Sequence, residues 1–326
     1  MPLESLFRNR RAVVTGGAGF IGSHLAERLF ALGARVTVLD DFSTGSADNL
    51  RNIRDGITVI EGDIRDRRLL EPAFHEVDFV FHQAALISVP ASLEDPAACM
   101  DVNVTGATAV FQEAARAEVR AIVYASSCAV YGNSDALPLR EDGPMVPLSP
   151  YALSKRFNEE TADWLSRSAG VPTAGLRYFN VYGPRQDPEG PYAAVIPRFI
   201  LRALRGEPLI IHGDGSQTRD FVHVRDVVRA NLLAAVAGRP GLVANVCSGD
   251  LSSIDALAGS IEAALPGTTR EHGPARKGDV SRSWGDGRHA SEALGFDPEI
   301  PLVSGLADTI DWFRHRKDPP SRGAAG

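Results

Sequence analysis

Cysteine is scarce: Cys99, Cys128 and Cys247 are the three thiols of 326 residues. That is neither a disulfide framework nor a metal-binding cluster, so buried structural thiols are expected and no metal site is predicted. No apolar run reaches membrane length, and the opening MPLESLFRNRR lacks the apolar stretch of a signal peptide. A cytoplasmic location is the expectation. Positive charge is in deficit, at a formal net charge of -7. That balance gives no driving force toward nucleic acid or an anionic membrane, although it leaves room for a local basic pocket. Lysine is rarer still beside arginine, which singles out Lys155. Internal repeats and long low-complexity segments are absent too.

What is present reads as an ordinary globular chain, 44% apolar and 23% charged, long enough for one large domain or two smaller ones. The run RAVVT at 11–15 leads straight into glycines. Phe20, Ile21, Leu25, Leu29 and Leu32 then recur at helical spacing until Gly33, and VTVLD at 36–40 follows as a strand. Strand, glycine turn, helix, strand predicts a parallel sheet. The alternation goes on, with strands expected near 57–61, 78–82, 120–125 and 173–178, and helices near 67–74, 97–117 and 151–169. The fold class is therefore α/β, a doubly wound parallel sheet of Rossmann type. After about residue 180 Pro and Gly cluster, as in NVYGPRQDPEGP, and a loop-rich, smaller substrate-covering domain is expected. A helix at 226–238 and a strand at 242–249 would return the chain to the first domain. The predicted division is 1–180 plus about 221–248 for the nucleotide domain and about 181–220 plus 249–316 for the discontinuous α/β substrate domain. Residues 317–326 carry no packing pattern and read as a frayed tail.

Gly16, Gly19 and Gly22 have the spacing G-x-x-G-x-x-G, between a strand and an amphipathic helix. Their missing β-carbons allow a tight turn and close approach of backbone N–H groups to a pyrophosphate. An acid at the end of the next strand completes the context of a dinucleotide site. Asp40 can accept hydrogen bonds from ribose hydroxyls, and its charge would repel a ribose phosphate, which favours NAD over NADP. Asp41 reinforces that repulsion or is simply a solvated loop acid. Asp63 and Ile64, in EGDIRD, are placed to meet the adenine edge, while Asp63 is equally suited to capping the following helix.

Tyr151 and Lys155 in YALSK stand at i,i+4 and so share a helix face. A lysine cation beside a tyrosine favours the phenolate, which would make Tyr151 a general base toward a sugar hydroxyl. Ser127, in SSCAVYG, is predicted at a strand end, where open α/β sheets present ligands; Ser126 competes with it. Neither serine lies in the glycine-flanked elbow of a hydrolase.

These residues resemble the extended short-chain dehydrogenase/reductase family, particularly its nucleotide-sugar 4-epimerases. The resemblance runs through TGGAGFIGSH, LDDFSTG, GDIRD, HQAALISVP, SSCAVYG, YALSK, RYFNVYGPRQDP, GDGSQTRDFVHVRD and KGDVSRSWGD. It implies Ser127, Tyr151 and Lys155 as the catalytic trio. It implies a tightly held NAD at Gly16, Gly19, Phe20, Ile21 and Gly22, at Asp40, Asp41, Asp63 and Ile64, at Gln83, Ala84 and Ala85, and at Tyr151 and Lys155. For a UDP-sugar it implies Asn180, Val195, Arg219, Arg276 and Ser283 beside Ser127 and Tyr151. Cys128 and Ala129 occupy the places where the family's 4,6-dehydratases carry an Asp–Glu pair, and its decarboxylases commonly carry Glu at the first of them. Ser283 falls at the position where a bulky tyrosine disfavours N-acetylated sugars. The activity implied is 4-epimerisation of UDP-N-acetylglucosamine and UDP-N-acetylgalactosamine, and of UDP-glucose and UDP-galactose, through a 4-keto sugar. A homodimer paired through two helices per subunit is implied as well. A UDP-glucuronate 4-epimerase or decarboxylase stands as the alternative, and a non-catalytic nucleotide-sugar-binding regulatory protein as the alternative of another class.

Overall fold

The β-branched Val13, Val14 and Thr15 favour a strand, and the run RAVVT forms β1 (Arg11–Thr15), buried along almost its whole length. It belongs to a computed structural model that describes residues 2–189, 193–275 and 281–316. A short helix α1 (Leu3–Phe7) precedes it, and α2 (Phe20–Ala31), β2 (Arg35–Asp40), β3 (Thr58–Glu61) and α3 (Arg67–Ala73) follow. Next come β4 (Phe79–His82), α4 (Val89–Glu94), α5 (Pro96–Met100) and α6 (Ala107–Arg116). Then β5 (Ala121–Ser127) leads to the long helix α7 (Pro150–Ala169) and to β6 (Thr173–Tyr178). The boundaries of α7 follow from its chemistry. Ser149 accepts a hydrogen bond from Ala152 N–H, Pro150 opens the first turn, and Gly170 ends the helix at φ 72°.

The later chain supplies β7 (Asn180–Tyr182), α8 (Val195–Leu204), β8 (Leu209–His212), β9 (Thr218–His223), α9 (Val224–Ala237) and β10 (Leu242–Val246). It continues through β11 (Leu251–Ser253), α10 (Ile254–Ala264), β12 (Arg270–Gly273), β13 (Arg282–Ser283), α11 (Arg288–Leu294) and α12 (Leu302–His315). Among the described residues, seven parallel strands form the main sheet in the order β10-β6-β5-β4-β1-β2-β3. Helices α2, α9 and α11 bury apolar residues such as Leu25, Leu29, Val227 and Leu294 against one face. Helices α3, α6 and α7 place Leu70, Val110, Phe111 and Leu165 on the other. This is the doubly wound α/β fold, with its switch of strand order between β1 and β4.

The second layer is more regular than its Pro and Gly content suggests. β9 pairs with β7, β11 and β13, and β8 pairs with β12. Helices α8, α10 and α12 cover them around Phe199, Phe221, Leu257 and Phe313. The expected helix at 97–117 is also broken: a six-residue π-helical turn, Asp101–Gly106, separates α5 from α6. Among the described residues no helix is long and apolar enough to cross a membrane. The tail at 317–326 lies outside the described residues.

Candidate active site

The glycine turn joins β1 to α2 by contacts that leave no room for side chains. Gly16 has φ 66°, and a Cβ there would stand 2.6 Å from the Ala84 nitrogen. A Cβ on Gly22 would stand 2.1 Å from the Gly16 carbonyl oxygen. Gly19 occupies the N-cap of α2 without a side-chain cap, whereas Ser149 caps α7 and Asp66 caps α3. The first-turn N–H groups of α2, at Phe20, Ile21 and Gly22, therefore remain a ready site for an anion at the sheet's switch point.

Asp40 closes β2 beside that turn. Its carboxylate accepts from Ala18 N–H at 2.8 Å and Phe42 N–H at 2.9 Å, and burial raises its pKa above the ordinary carboxylate range. Two carboxylate oxygens retain further acceptor sites for ribose hydroxyls. Asp41 bonds instead to the N–H and hydroxyl of Ser43, within its own loop. Asp63 engages Arg65, and Asp66 is the residue that caps α3. Ile64 is buried against Gly106. Beyond β4, Ala84 packs on Gly16, while the Gln83 carboxamide turns to Asn231 and Tyr178. These placements bring the glycines, Asp40 and the Gln83–Ala84–Ala85 segment to one end of the sheet. The cradle fits a dinucleotide with an unphosphorylated ribose.

The last two residues of β5 separate the two serines by strand alternation. Ser126 points into the core and donates to Glu159 at 2.5 Å. Ser127 faces the opposite side, where its hydroxyl accepts from Ala129 N–H at 3.2 Å and lies near enough to the Tyr151 hydroxyl to favour its ionised form. Tyr151 stands in the first turn of α7, and Lys155 lies one turn below it, only 2% exposed. The Lys155 Nζ donates to the Ala125 carbonyl at 3.0 Å and lies 5.8 Å from the Tyr151 ring centroid. The structure thus brings the whole trio together.

Its electrostatics differ from the expectation that lysine lowers the tyrosine pKa. Burial pushes the Tyr151 hydroxyl up to about 12 against the Ser127 hydrogen bond, and burial brings Lys155 down to about 8. Desolvation wins: Nζ donates to the Ala125 carbonyl, and Lys155 is not among the groups that act on the Tyr151 hydroxyl. Without ligands Tyr151 is therefore a protonated phenol at neutral pH.

A cleft of about 270 Å³ is lined by Asn180, Val195, Gln186, Phe199, Arg219 and their neighbours; Cys128, next to Ser127, lies within electrostatic reach of Arg219. Three of the predicted substrate residues, Asn180, Val195 and Arg219, share this one wall. Ser283 is buried on β13 opposite Arg219 of β9, near the Cys128 thiol, whose ionised form its hydroxyl favours. Arg276 lies outside the described residues. Cys99 and Cys247 are buried, as expected of structural thiols, and Cys128 is partly buried.

Two groups escaped sequence reasoning. Asn103 sits on the π turn, where its carboxamide both accepts from Leu86 N–H (2.7 Å) and donates to Leu86 C=O (2.9 Å), and also donates to Ser154 Oγ (3.1 Å). It fastens the loop after β4 to the catalytic helix. The available signal was an Asn and a Gly, both poor helix formers, inside an otherwise helical stretch. The second is Glu159, one turn beyond Lys155, which holds both Ser126 and Arg177.

Comparison with known proteins bears on the whole arrangement. The profile described as "NAD dependent epimerase/dehydratase family" matches residues 12–247. A putative UDP-glucose 4-epimerase of Methanocaldococcus jannaschii is 41% identical over 307 residues, covering 93% of this chain and 98% of the relative. The UDP-N-acetylglucosamine 4-epimerase of Methanobrevibacter ruminantium, solved with UDP-N-acetylmuramic acid, superposes with a TM-score of 0.90 at 36% identity, over 94% and 99% of the two chains. The UDP-glucose 4-epimerase of Thermus thermophilus, solved with NAD, superposes with a TM-score of 0.85 at 36% identity, over 94% and 99%. The chain belongs to the NAD dependent epimerase/dehydratase family.

Proposed function

We propose that the protein is a UDP-hexose 4-epimerase acting on UDP-N-acetylglucosamine and UDP-N-acetylgalactosamine, with UDP-glucose and UDP-galactose as further substrates. The reading rests on the Ser127–Tyr151–Lys155 cluster, whose Lys155 acts on His82 next to the Gln83–Ala84 segment of the cradle, and whose Ser127 adjoins Cys128, within electrostatic reach of Arg219 of the cleft. NAD, when bound, accepts a hydride from the sugar and returns it.

Tyr151 takes the proton of the sugar's 4-hydroxyl and gives it back, so no net redox change occurs. Ser127, whose hydroxyl favours the ionised form of Tyr151, orients the shared proton. Lys155 supplies a buried positive charge one turn away, 5.8 Å from the Tyr151 ring centre. Arg219 offers a guanidinium to the diphosphate, and Asn180 holds the sugar end. A 4-keto sugar must turn between hydride removal and return, and the walls of the cleft keep it from escaping. Cys128 and Ala129 beside Ser127 supply no carboxylate for C5 deprotonation or uronate decarboxylation, which favours plain epimerisation.

The test is incubation of purified protein with UDP-N-acetylglucosamine or with UDP-glucose, without added NAD, and separation of the epimers. Galacto-products from both, with UDP-glucuronate unchanged, support the proposal. Turnover of UDP-glucuronate alone moves the activity to the alternative, and binding of UDP-sugar without turnover makes the protein a regulatory binder. Ser283 sets the acetamido preference in this reading. A Ser283→Tyr variant should lose about 10–200-fold in kcat/KM for UDP-N-acetylglucosamine while retaining UDP-glucose turnover.

A homodimer belongs to the same proposal. Leu153, Phe157 and Trp164 recur along one face of α7 and are exposed, as is Leu93 of α4. Such a stripe is unusual on a solvated helix and suits a second copy of the same surface. Trp164→Glu should shift the mass measured by light scattering from dimer to monomer.

A further inference from the structure

Asn180 and Arg219 of the cleft and the buried Ser283 come from three stretches distant in sequence, and the three meet around one residue of β9. Asp220 lies mid-β9, between Arg219 of the cleft and Phe221, and is fully buried. Strand alternation turns its side chain opposite to that of Arg219. Its Oδ1 accepts from Ser248 N–H at 2.6 Å and from the Ser248 hydroxyl at 2.7 Å. Its Oδ2 accepts from Gly249 N–H at 3.1 Å and Gly285 N–H at 3.3 Å. Its backbone carbonyl accepts from the Asn180 carboxamide at 3.0 Å.

Two of these partners, Gly285 and Asn180, belong to predicted substrate segments, and the other two brace the strand that carries Arg219. Gly285 follows Ser283 by two residues, and Ser283 pairs with Arg219 across β13 and β9. Asn180 opens β7, which runs beside β9 with Asn180 opposite Phe221. Ser248 and Gly249 form the turn between β10 of the main sheet and β11, which pairs with β9 at Asp220 itself. That turn is braced again by Trp284, whose indole N–H donates to Gly249 C=O at 2.9 Å. Three backbone N–H groups and a hydroxyl thus converge on one carboxylate, and charge-assisted bonds of this kind are about twice as strong as neutral ones. Burial raises the Asp220 pKa while those same donors pull it down.

We infer that Asp220 is a positioning residue for substrate recognition: its carboxylate ties the Arg219 strand to the Ser283 segment and to the turn after β10, its backbone carbonyl holds Asn180, and it does not touch substrate itself. This rests on the UDP-sugar reading above. The short β13, two residues long, has little ladder of its own to hold Ser283 in place. The Gly285 bond to Asp220 supplies that anchor.

Asp220→Asn is the discriminating substitution. It conserves volume and keeps one oxygen for Ser248, but its amide NH₂ opposes the N–H groups of Gly249 and Gly285. UDP binding is measured by calorimetry, retained NAD by absorbance after denaturation, and kcat and KM with UDP-N-acetylglucosamine. The expected result is parental NAD content, UDP affinity lowered about tenfold or more, and a rise in KM larger than the fall in kcat. Ser248→Ala, which removes one bond and keeps the backbone donors, should move UDP affinity the same way by a smaller factor. Lowered thermal stability with unchanged UDP affinity in both variants overturns the inference, as does loss of NAD in parallel with UDP. If Asp220→Asn does not fold, Ser248→Ala decides alone: weaker UDP binding with full NAD supports the inference, and unchanged binding overturns it. Failure of the parent protein to bind UDP defeats the UDP-sugar reading instead, so the two failures are distinguishable.

Discussion

Tyr151→Phe should turn over UDP-sugar about 10²–10⁴-fold more slowly than the parent, the range lost when a positioned acid–base group is removed. The ring remains to pack, and Ser127 keeps its bond from Ala129 N–H, so the fold has no reason to change. NAD content and UDP affinity should stay within about threefold, which places the loss in kcat. The size of the effect follows from the Tyr151 environment. With its hydroxyl held at about 12, ionisation at pH 7 would cost on the order of 7 kcal/mol in the unliganded site. A phenol so reluctant to ionise works as a base only when positive charge arrives near it. Lys155, about 90% protonated at pH 7 with its pKa at about 8, is one source; the oxidised nicotinamide ring is the other. Two consequences can be measured. In the NAD-free protein, ultraviolet titration should find no tyrosine change assignable to Tyr151 by difference with Tyr151→Phe below about pH 10. Lys155→Met should reduce kcat strongly even though Lys155 does not bond the phenol. Retention of more than a tenth of parental kcat by Tyr151→Phe would remove Tyr151 from the proton-transfer role.

The sequence exposes some of this and conceals the rest for identifiable reasons. β1, the glycine turn and α2 were legible because a short continuous apolar run and a period-3.6 pattern abut at a cluster of glycines, with Asp40 at the expected distance. YALSK was legible because Tyr151 and Lys155 are local to one helix. The regular elements after residue 180 were harder, since β7, β11 and β13 are two or three residues long and stand between Pro- and Gly-rich turns that dominate any sequence window. The choice between Ser126 and Ser127 needed the partner of the buried one, Glu159, which is 33 residues away. Asn103 was hidden because its π turn interrupts the helical period that would have placed it. Asp220 was hidden because its carboxylate contacts are 28 to 65 residues distant. The tyrosine pKa was misjudged from spacing alone: i,i+4 brings Lys155 near, but the direction of Nζ is set by the Ala125 carbonyl of β5.

Arg177→Met should give the largest loss of stability, about 3–5 kcal/mol, because it leaves a buried carboxylate without its cation. The Arg177 and Glu159 side chains are 3% and 5% exposed and meet at 2.7 and 2.9 Å in a two-pronged contact. Arg177 also donates to the Tyr131 hydroxyl at 2.8 Å, and Tyr131 in turn donates to Asn245 at 2.7 Å. The network joins α7, β5, β6 and β10, behind Ser127 and one turn from Lys155. Double-mutant analysis separates the pair's own contribution from the penalty of stranding one charge. Arg177→Met with Glu159→Leu should be less destabilised than Arg177→Met alone, because no ion then stays unpaired in the core. Ser126, deprived of its acceptor in the double variant, should make recovery incomplete by about 1–3 kcal/mol. Glu159→Gln isolates the charge, since its carboxamide oxygen still accepts from Ser126 while the ion pair is lost. It should lower the denaturation midpoint yet keep Ser127 in register, so kcat measured well below that midpoint falls much less than in Tyr151→Phe. Equal losses of kcat in Glu159→Gln and Tyr151→Phe would instead place the Glu159 charge in the proton path, where the 2.5 Å contact to Ser126 leads away from the Tyr151 hydroxyl.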